Sequence, residues 1–402
     1  MSRLVLVCPE PLGHRQPAGI GIRFIEMAKV LAADGHAVTI LSPDGGAVAR
    51  TTALAMTPEV IARTTGENDV AIVQGHAANA RFAHGKPLPT VVDLYDPFIV
   101  ENLHYFAERG AEVFNHDHAT LMRSLARGDF FLCASSAQRL FYLGLLLAAG
   151  RLSPVAFASD PHLDALIGVA PFGVQPPRAH PPKRGHDLLF GGIYDWYDPI
   201  LAIDAVALVR NTIRDVTLTF TTHPNPELTP QGKAAEAIAH VKKRGYGDFV
   251  RFEPWVEYEK RGEFFDRFAL ALLTFRQSIE TDLSMRTRVF DYLWGGLPVV
   301  TSSAPGTDEI LNEYEAGIIV GEDSPDAFAN AIREAFERRT MVDGAQRFAV
   351  THQWPRTLEP LRQFCRRPHF DKNKDAFAVQ LELPERPPSI LDRLKRRIGG
   401  AF

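Results

Sequence analysis

The sequence predicts an α/β protein built from two doubly wound parallel-sheet domains. Three observations carry this. The chain has 402 residues, more than one hydrophobic core usually serves. Short apolar runs alternate with amphipathic helical stretches through both halves, the pattern of strand–helix–strand units. Between the halves, residues 175–185 read Gln-Pro-Pro-Arg-Ala-His-Pro-Pro-Lys-Arg-Gly, and prolines at that density continue neither a helix nor an inner strand.

In the first half the expected strands are residues 4–7, 37–41, 70–73, 90–94, 130–133 and 167–170. Helical stretches fall at 20–33, 119–126 and 137–149. In the second half strands are expected at 188–190, 217–221, 249–252, 270–275, 298–301 and 317–320. The helices between them fall at 199–209, 233–243, 258–267, 285–294, 307–313 and 325–337. The domains are expected at 1–172 and 187–350, with 173–186 as linker and 351–402 as a C-terminal helix and tail. Such sheets bind ligands beyond the C-terminal ends of their strands, so two facing sheets imply a shared cleft.

Composition narrows the function. A net charge of −4 provides no basic field for nucleic acid. The three cysteines, Cys8, Cys133 and Cys365, form no disulfide framework and no paired metal site, which suits a reducing cytoplasm. No secretory signal is visible. The longest apolar run, 140–149, is half of the roughly 20 residues a membrane span needs. In the tail, Ser389 opens a segment with Ile390, Leu391, Leu394 and Ile398 on one face and Arg393, Lys395, Arg396 and Arg397 on the others. It is read either as a helix docked on its own domain or as a contact with the cytoplasmic face of the inner membrane.

Three segments carry candidate chemistry. In Pro17-Ala-Gly19-Ile-Gly21-Ile-Arg23, Gly19 and Gly21 allow backbone N–H groups to approach an anion at a helix N-terminus. Arg23 is a cation where the helix dipole disfavours one. The third glycine of a dinucleotide fingerprint is absent, since Phe24 stands there. In Phe190-Gly-Gly192-Ile-Tyr-Asp195-Trp196-Tyr-Asp198-Pro199, Asp198 is a helix cap, while Asp195 and Trp196 suit sugar or base contacts. In Glu280-Thr-Asp-Leu-Ser284-Met-Arg286-Thr-Arg288-Val-Phe-Asp291-Tyr-Leu-Trp-Gly-Gly296-Leu-Pro298, Arg286 and Arg288 sit at a helix start where a diphosphate would justify them. The bland alternative for Arg288 is an ion pair with Asp291 at i,i+3.

This last segment resembles the retaining glycosyltransferases of family 4. Those pair two glutamates with seven residues between them, the second followed by a short turn and Gly-Leu-Pro-Val-Val. Asp291 stands in place of the second glutamate and Leu283 in place of the first, so Glu280 serves only with three extra residues between them. The run Arg286-Thr-Arg288-Val-Phe-Asp291-Tyr-Leu-Trp294 is similar to a bacterial branch of that family, as are Asp93-Leu-Tyr-Asp96-Pro97 and Pro171-Phe-Gly-Val174. The resemblance covers residues 3–363.

The resemblance implies the GT-B fold: two Rossmann-like domains, the first for the acceptor and the second for a nucleotide-sugar donor. It implies a hexosyltransferase of bacterial glycan or polysaccharide synthesis, retaining, with no metal or other cofactor. Glu280 would touch the donor sugar and Asp291 the ribose, with Arg286 and Arg288 clamping the diphosphate and Gly192 and Thr307 lining it. The acceptor would be a glycan or a lipid-linked glycan. An inverting enzyme would draw its base from Asp96, Glu101 or His118. The pair His116 and His118 reads as helix surface. A GT-B-like module that binds without turnover and a sugar-nucleotide epimerase remain open beside the transferase.

Overall fold

The structure is a computed structural model, and it describes residues 1–13, 17–48, 51–179, 185–222 and 231–374. The basic tail segment lies outside the described residues. The first sheet holds β1 (Arg3–Val7), β2 (Ala37–Ser42), β3 (Gly46–Val48), β4 (Thr51–Ala55), β5 (Val70–Val73), β6 (Thr90–Asp93), β7 (Phe130–Cys133) and β8 (Ile167–Val169). Its order is β3-β4-β2-β1-β5-β6-β7-β8. All pairings are parallel except β3 with β4. The second sheet holds β9 (Asp187–Gly192), β10 (Thr217–Thr221), β11 (Val250–Glu253), β12 (Leu270–Leu273), β13 (Val299–Ser302) and β14 (Gly317–Val320). Its order is β11-β10-β9-β12-β13-β14, parallel throughout.

The continuous apolar runs become strands because both faces of each sheet are covered. Leu4, Val5, Leu6 and Val7 are all fully buried, split between two helical layers. The β3–β4 hairpin carries no apolar run and was not expected. The chain enters it from β2 through Gly45 and Gly46, which take positive φ (70° and 133°), and a Cβ on Gly46 would lie 2.7 Å from Gly13 Cα.

The C-terminal helices leave the second domain and return to the first. Helices Trp354–Thr357 and Glu359–Arg366 place Trp354, Leu358, Leu361 and Phe364 in the core that contains Leu4, Leu6 and Phe24. Gly173 is required where the ring of Trp354 passes, since a Cβ there would sit 2.5 Å from it. No described helix is long and apolar enough to cross a membrane.

The domains also touch across the cleft. Gln138, fully buried, donates through Nε2 to Tyr95 O in its own domain (2.9 Å) and to Leu283 O in the other (2.8 Å). That bond fixes the segment after β12 against the loop after β6.

Candidate functional site

The C-terminal ends of both sheets face one cleft with two compartments. The smaller, about 350 Å³, lies between helix Gly19–Ala33, the end of β9, the loop after β11 and helix Thr287–Trp294. The larger, about 980 Å³, opens between the loops after β1 and β6 on one side and Tyr194–Tyr197 with Ser284–Arg288 on the other. Ala18, Gly19, Tyr194, Thr287 and Arg288 line both compartments and so mark their junction.

Arg288 is the central cation. Its Nη1 donates to Gly192 O. Its guanidinium lies 4.8 Å from the ring of Tyr194 and 5.0 Å from that of Tyr197. Among the described residues its Nη2 is buried with no hydrogen-bond partner, an arrangement that leaves a charged donor unsatisfied. Gly191 bends the chain here with φ 82°, and a Cβ on it would strike Tyr292 Oη at 2.5 Å. The two glycines therefore serve to bring backbone beside Arg288 and Tyr292. Asp291 does not pair with Arg288. It accepts from Arg261 Nε at 3.0 Å and lines the smaller compartment. Arg261 lies 3.5 Å from the Tyr258 ring and 4.5 Å from that of Trp294.

Glu280 and Arg286 form a bidentate fork, Nη1–Oε1 2.7 Å and Nη2–Oε2 2.8 Å. Both side chains are buried, 2% and 3% exposed. The extra residues between Glu280 and Asp291 are absorbed by a break. Helix Ile279–Leu283 ends, Ser284 is extended, and helix Thr287–Trp294 starts afresh. Arg286 lines the larger compartment and Glu280 lines neither, being covered by its partner.

On the first-domain side, Asp96 and Glu101 face the larger compartment. Burial, then the repulsion of Asp93 and Glu280, raises the Asp96 carboxyl to about 6, although the hydrogen bond with Glu101 opposes the rise. Glu101 is held well above the ordinary carboxylate range, by burial first and by Asp96 next. Ser284 Oγ approaches Glu101 at 3.4 Å from across the cleft.

Several residues singled out in the sequence hold other posts. Arg23 does not meet an anion from the cleft: it is fully buried and forked onto Asp93 (2.7 and 3.0 Å), with further bonds to Ala170 O and Pro171 O. The N–H nest at the start of helix Gly19–Ala33 is real, but Glu10 sits in it. Its carboxylate accepts from Ala18 N and Gly21 N, both at 2.5 Å, while Gly19 lines both compartments. Burial raises the Glu10 carboxyl, and these two N–H groups oppose the shift. Asp195 has a structural task after all. It accepts from Lys233 N at 3.0 Å and caps helix Gly232–Arg244. Trp196 does line the larger compartment, half-buried and stacked on Tyr194 at 4.7 Å. Thr307 is 1% exposed and lines neither compartment, its Oγ1 lacking a partner among the described residues. Neither Glu10 nor Arg261 was marked by any local signal. Glu10 precedes its nest by a loop, and Arg261 reads as an ordinary helix-surface cation.

One histidine cluster invites a metal reading. His76, His116 and Asp117 bring ligand atoms within 4.8 Å of one another. The two imidazoles, however, are stacked face to face (4.9 Å, 9°). No single ion lies in both of two parallel ring planes. Asp117 is engaged by His76 Nε2 at 2.9 Å and Asn102 Nδ2 at 2.6 Å. As arranged, the cluster is a hydrogen-bonded stack and not a chelate.

Residues 186–338 match the family model described as Glycosyl transferases group 1. Among solved structures the chain is similar to sucrose-phosphate synthase from Thermosynechococcus elongatus, at 12% identity and TM-score 0.65, covering 91% of this chain and 98% of that one. It is similar to the Anabaena protein HepE in complex with UDP-glucose, at 14% identity and TM-score 0.66, covering 91% and 99%. It also resembles WaaG, a glycosyltransferase involved in lipopolysaccharide biosynthesis, at 15% identity and TM-score 0.59, covering 90% and 98%. A search of curated proteins by sequence finds no match. The fold is that of the GT-B glycosyltransferases, as expected, and the family match falls on the second domain.

Proposed function

We propose that the chain is a glycosyltransferase that moves a sugar from a nucleotide donor, held by the second domain, to an acceptor held by the first. The observation that carries this reading is Arg288. A guanidinium with an unsatisfied Nη2 stands where the two compartments join, between a carboxylate suited to ribose hydroxyls and a larger space for sugars. The nucleoside occupies the smaller compartment, with Asp291 accepting from the ribose. The diphosphate lies at Arg288 and the sugar points into the larger compartment, beside Arg286 and Trp196. The family match of residues 186–338 and the UDP-glucose bound to the similar Anabaena protein support the donor assignment.

Transfer proceeds with retention in this proposal. The bond from the sugar's anomeric carbon to the phosphate oxygen breaks, and the bond to the acceptor oxygen forms on the same face. The acceptor's proton passes to the departing phosphate. Arg288 and Arg286 stabilise the charge that develops there, and no metal is part of the scheme. Asp96 aligns the acceptor hydroxyl. A glycan acceptor, free or lipid-linked, belongs to the same proposal, as does a site of action in the cytoplasm or at its membrane face.

The test is thermal unfolding with a panel of nucleoside diphosphates. At a hundredfold excess over its dissociation constant, a true donor nucleotide stabilises the fold by about 2.7 kcal/mol. Arg288→Ala should remove most of that shift, since a charge-assisted hydrogen bond is worth about 1.5–3 kcal/mol. A panel in which no nucleotide moves the transition overturns the proposal. A nucleotide that binds without any sugar transfer or release points to the non-catalytic module, which the sequestered Glu280 favours.

A further inference from the structure

The larger compartment is electrically two-sided. Among its described lining residues every carboxylate comes from the first domain: Glu10, Asp44, Asp96 and Glu101. Every guanidinium comes from the second: Arg286 and Arg288. Glu10 is held by Ala18 N and Gly21 N, and Asp44 by Leu12 N and Gly13 N at 2.8 and 3.1 Å. Asp96 and Glu101 lie side by side, and the further charges that bear on Asp96 are two more carboxylates, Asp93 and Glu280. Arg286 acts on Glu101 from across the cleft, but its fork already grips Glu280.

A ligand group entering this corner meets hydrogen-bond acceptors and the negative charge of Asp96. A hydroxyl satisfies the acceptors. An ammonium satisfies them with three N–H donors and also relieves the crowding of like charge. A phosphate or carboxylate adds to that crowding, which is how a site rejects a wrong partner. The opposite wall provides a flat surface: Tyr194 and Trp196, stacked at 4.7 Å and 7°, both line this compartment. Aromatic faces of this kind take the C–H face of a pyranose ring while polar groups fix its orientation.

Building on the transferase reading, we infer that the acceptor is a sugar carrying a protonated amine, seated between the Asp96–Glu101 pair and the Tyr194–Trp196 platform. Phosphorylated and carboxylated sugars are turned away from that wall. The Asp96 carboxyl is pushed up to about 6, so it is ionised at neutral pH and its grip on an ammonium weakens as the pH falls through that value, while Glu101, held well above the ordinary carboxylate range, keeps its proton and donates to Asp96. The second domain keeps its cations for the donor's diphosphate, and the two charged walls sort donor from acceptor.

The experiment uses the full chain and direct binding by saturation-transfer NMR at about pH 7.5. The probes are the methyl glycosides of glucosamine, N-acetylglucosamine and glucuronic acid, each with and without the nucleoside diphosphate that raises the melting temperature. The glucosaminide should bind at least about tenfold tighter than its N-acetyl form, a difference of about 1.4 kcal/mol, and the glucuronide should not bind. Asp96→Asn should erase the preference for the amine while leaving the nucleotide shift in place, which also reports that the fold is intact. Equal binding of the three glycosides, or binding of none in the presence of nucleotide, overturns the inference and leaves the donor assignment standing. Absence of any nucleotide shift removes the transferase reading itself, so the two failures are distinct.

Discussion

Glu280→Gln separates a substrate-binding glutamate from one that works through a neighbour. In the structure Glu280 meets Arg286 in a two-pronged fork at 2.7 and 2.8 Å, with both side chains almost wholly buried. Removing one charge of such a pair strands the other, at about 3–5 kcal/mol. The lower end applies here, because removing the Glu280 charge lifts one of the repulsions that keep Glu101 protonated, and an ionised Glu101 then answers Arg286. The variant should therefore unfold at clearly lower temperature in a calorimetric scan. The double variant Glu280→Gln with Arg286→Met should recover a good part of the loss, since no charge is then left stranded. The pair's interaction energy follows from the cycle of single and double variants. A Glu280→Gln protein that melts with the wild type yet transfers no sugar would refute this reasoning and restore Glu280 to the donor sugar.

Three further outcomes follow from the same geometry. Arg23→Met should destabilise the first domain by about 3–5 kcal/mol, because it strands buried Asp93, and nucleotide titration of the folded variant should give the wild-type affinity. Asp195→Ala should lose about 1 kcal/mol of helix capping, read as a small drop in denaturant midpoint with nucleotide affinity retained. For Asp96 the folded carboxyl titrates at about 6 against an ordinary 3.8, so the native state binds the extra proton. Between those values its contribution to stability falls as pH rises. Asp96→Asn should accordingly gain on the wild type across that window, which paired melting curves at stepped pH would read.

The architecture was legible because it rests on local signals. Apolar runs such as 4–7 and 130–133 declare strands buried on both faces, and the helices between them declare the crossovers. What escaped was whatever depends on a distant partner. Arg23 reads as a cation misplaced at a helix start until Asp93, 70 residues on, neutralises it. Asp195 reads as a spare acid until Lys233 N arrives 38 residues later. Glu10 fills a nest whose glycines advertise an anion but not whose. The stretch between Glu280 and Asp291 looked like a damaged motif. It is a helix break that turns Arg286 back onto Glu280 and carries Arg288 to the junction of the compartments. The β3–β4 hairpin escaped for the opposite reason, being a short edge entered through two glycines of positive φ and announced by no apolar run.

The return of the C-terminal helices has a mechanical consequence. The chain passes between the domains at Val174 and again at Gln353, and the two passages are bonded to each other: Val174 N donates to His352 O at 2.8 Å and Trp354 N to Val174 O at 3.3 Å. A single tether would let one domain swivel freely on the other. Two passages laced together resist that swivel, as do the contacts across the cleft from Gln138 to Leu283 and from Ser284 to Glu101. The same lacing means that the first domain is not a contiguous piece of chain: a fragment cut at the linker would lack Trp354, Leu358 and Leu361 and bare the apolar floor on which they rest.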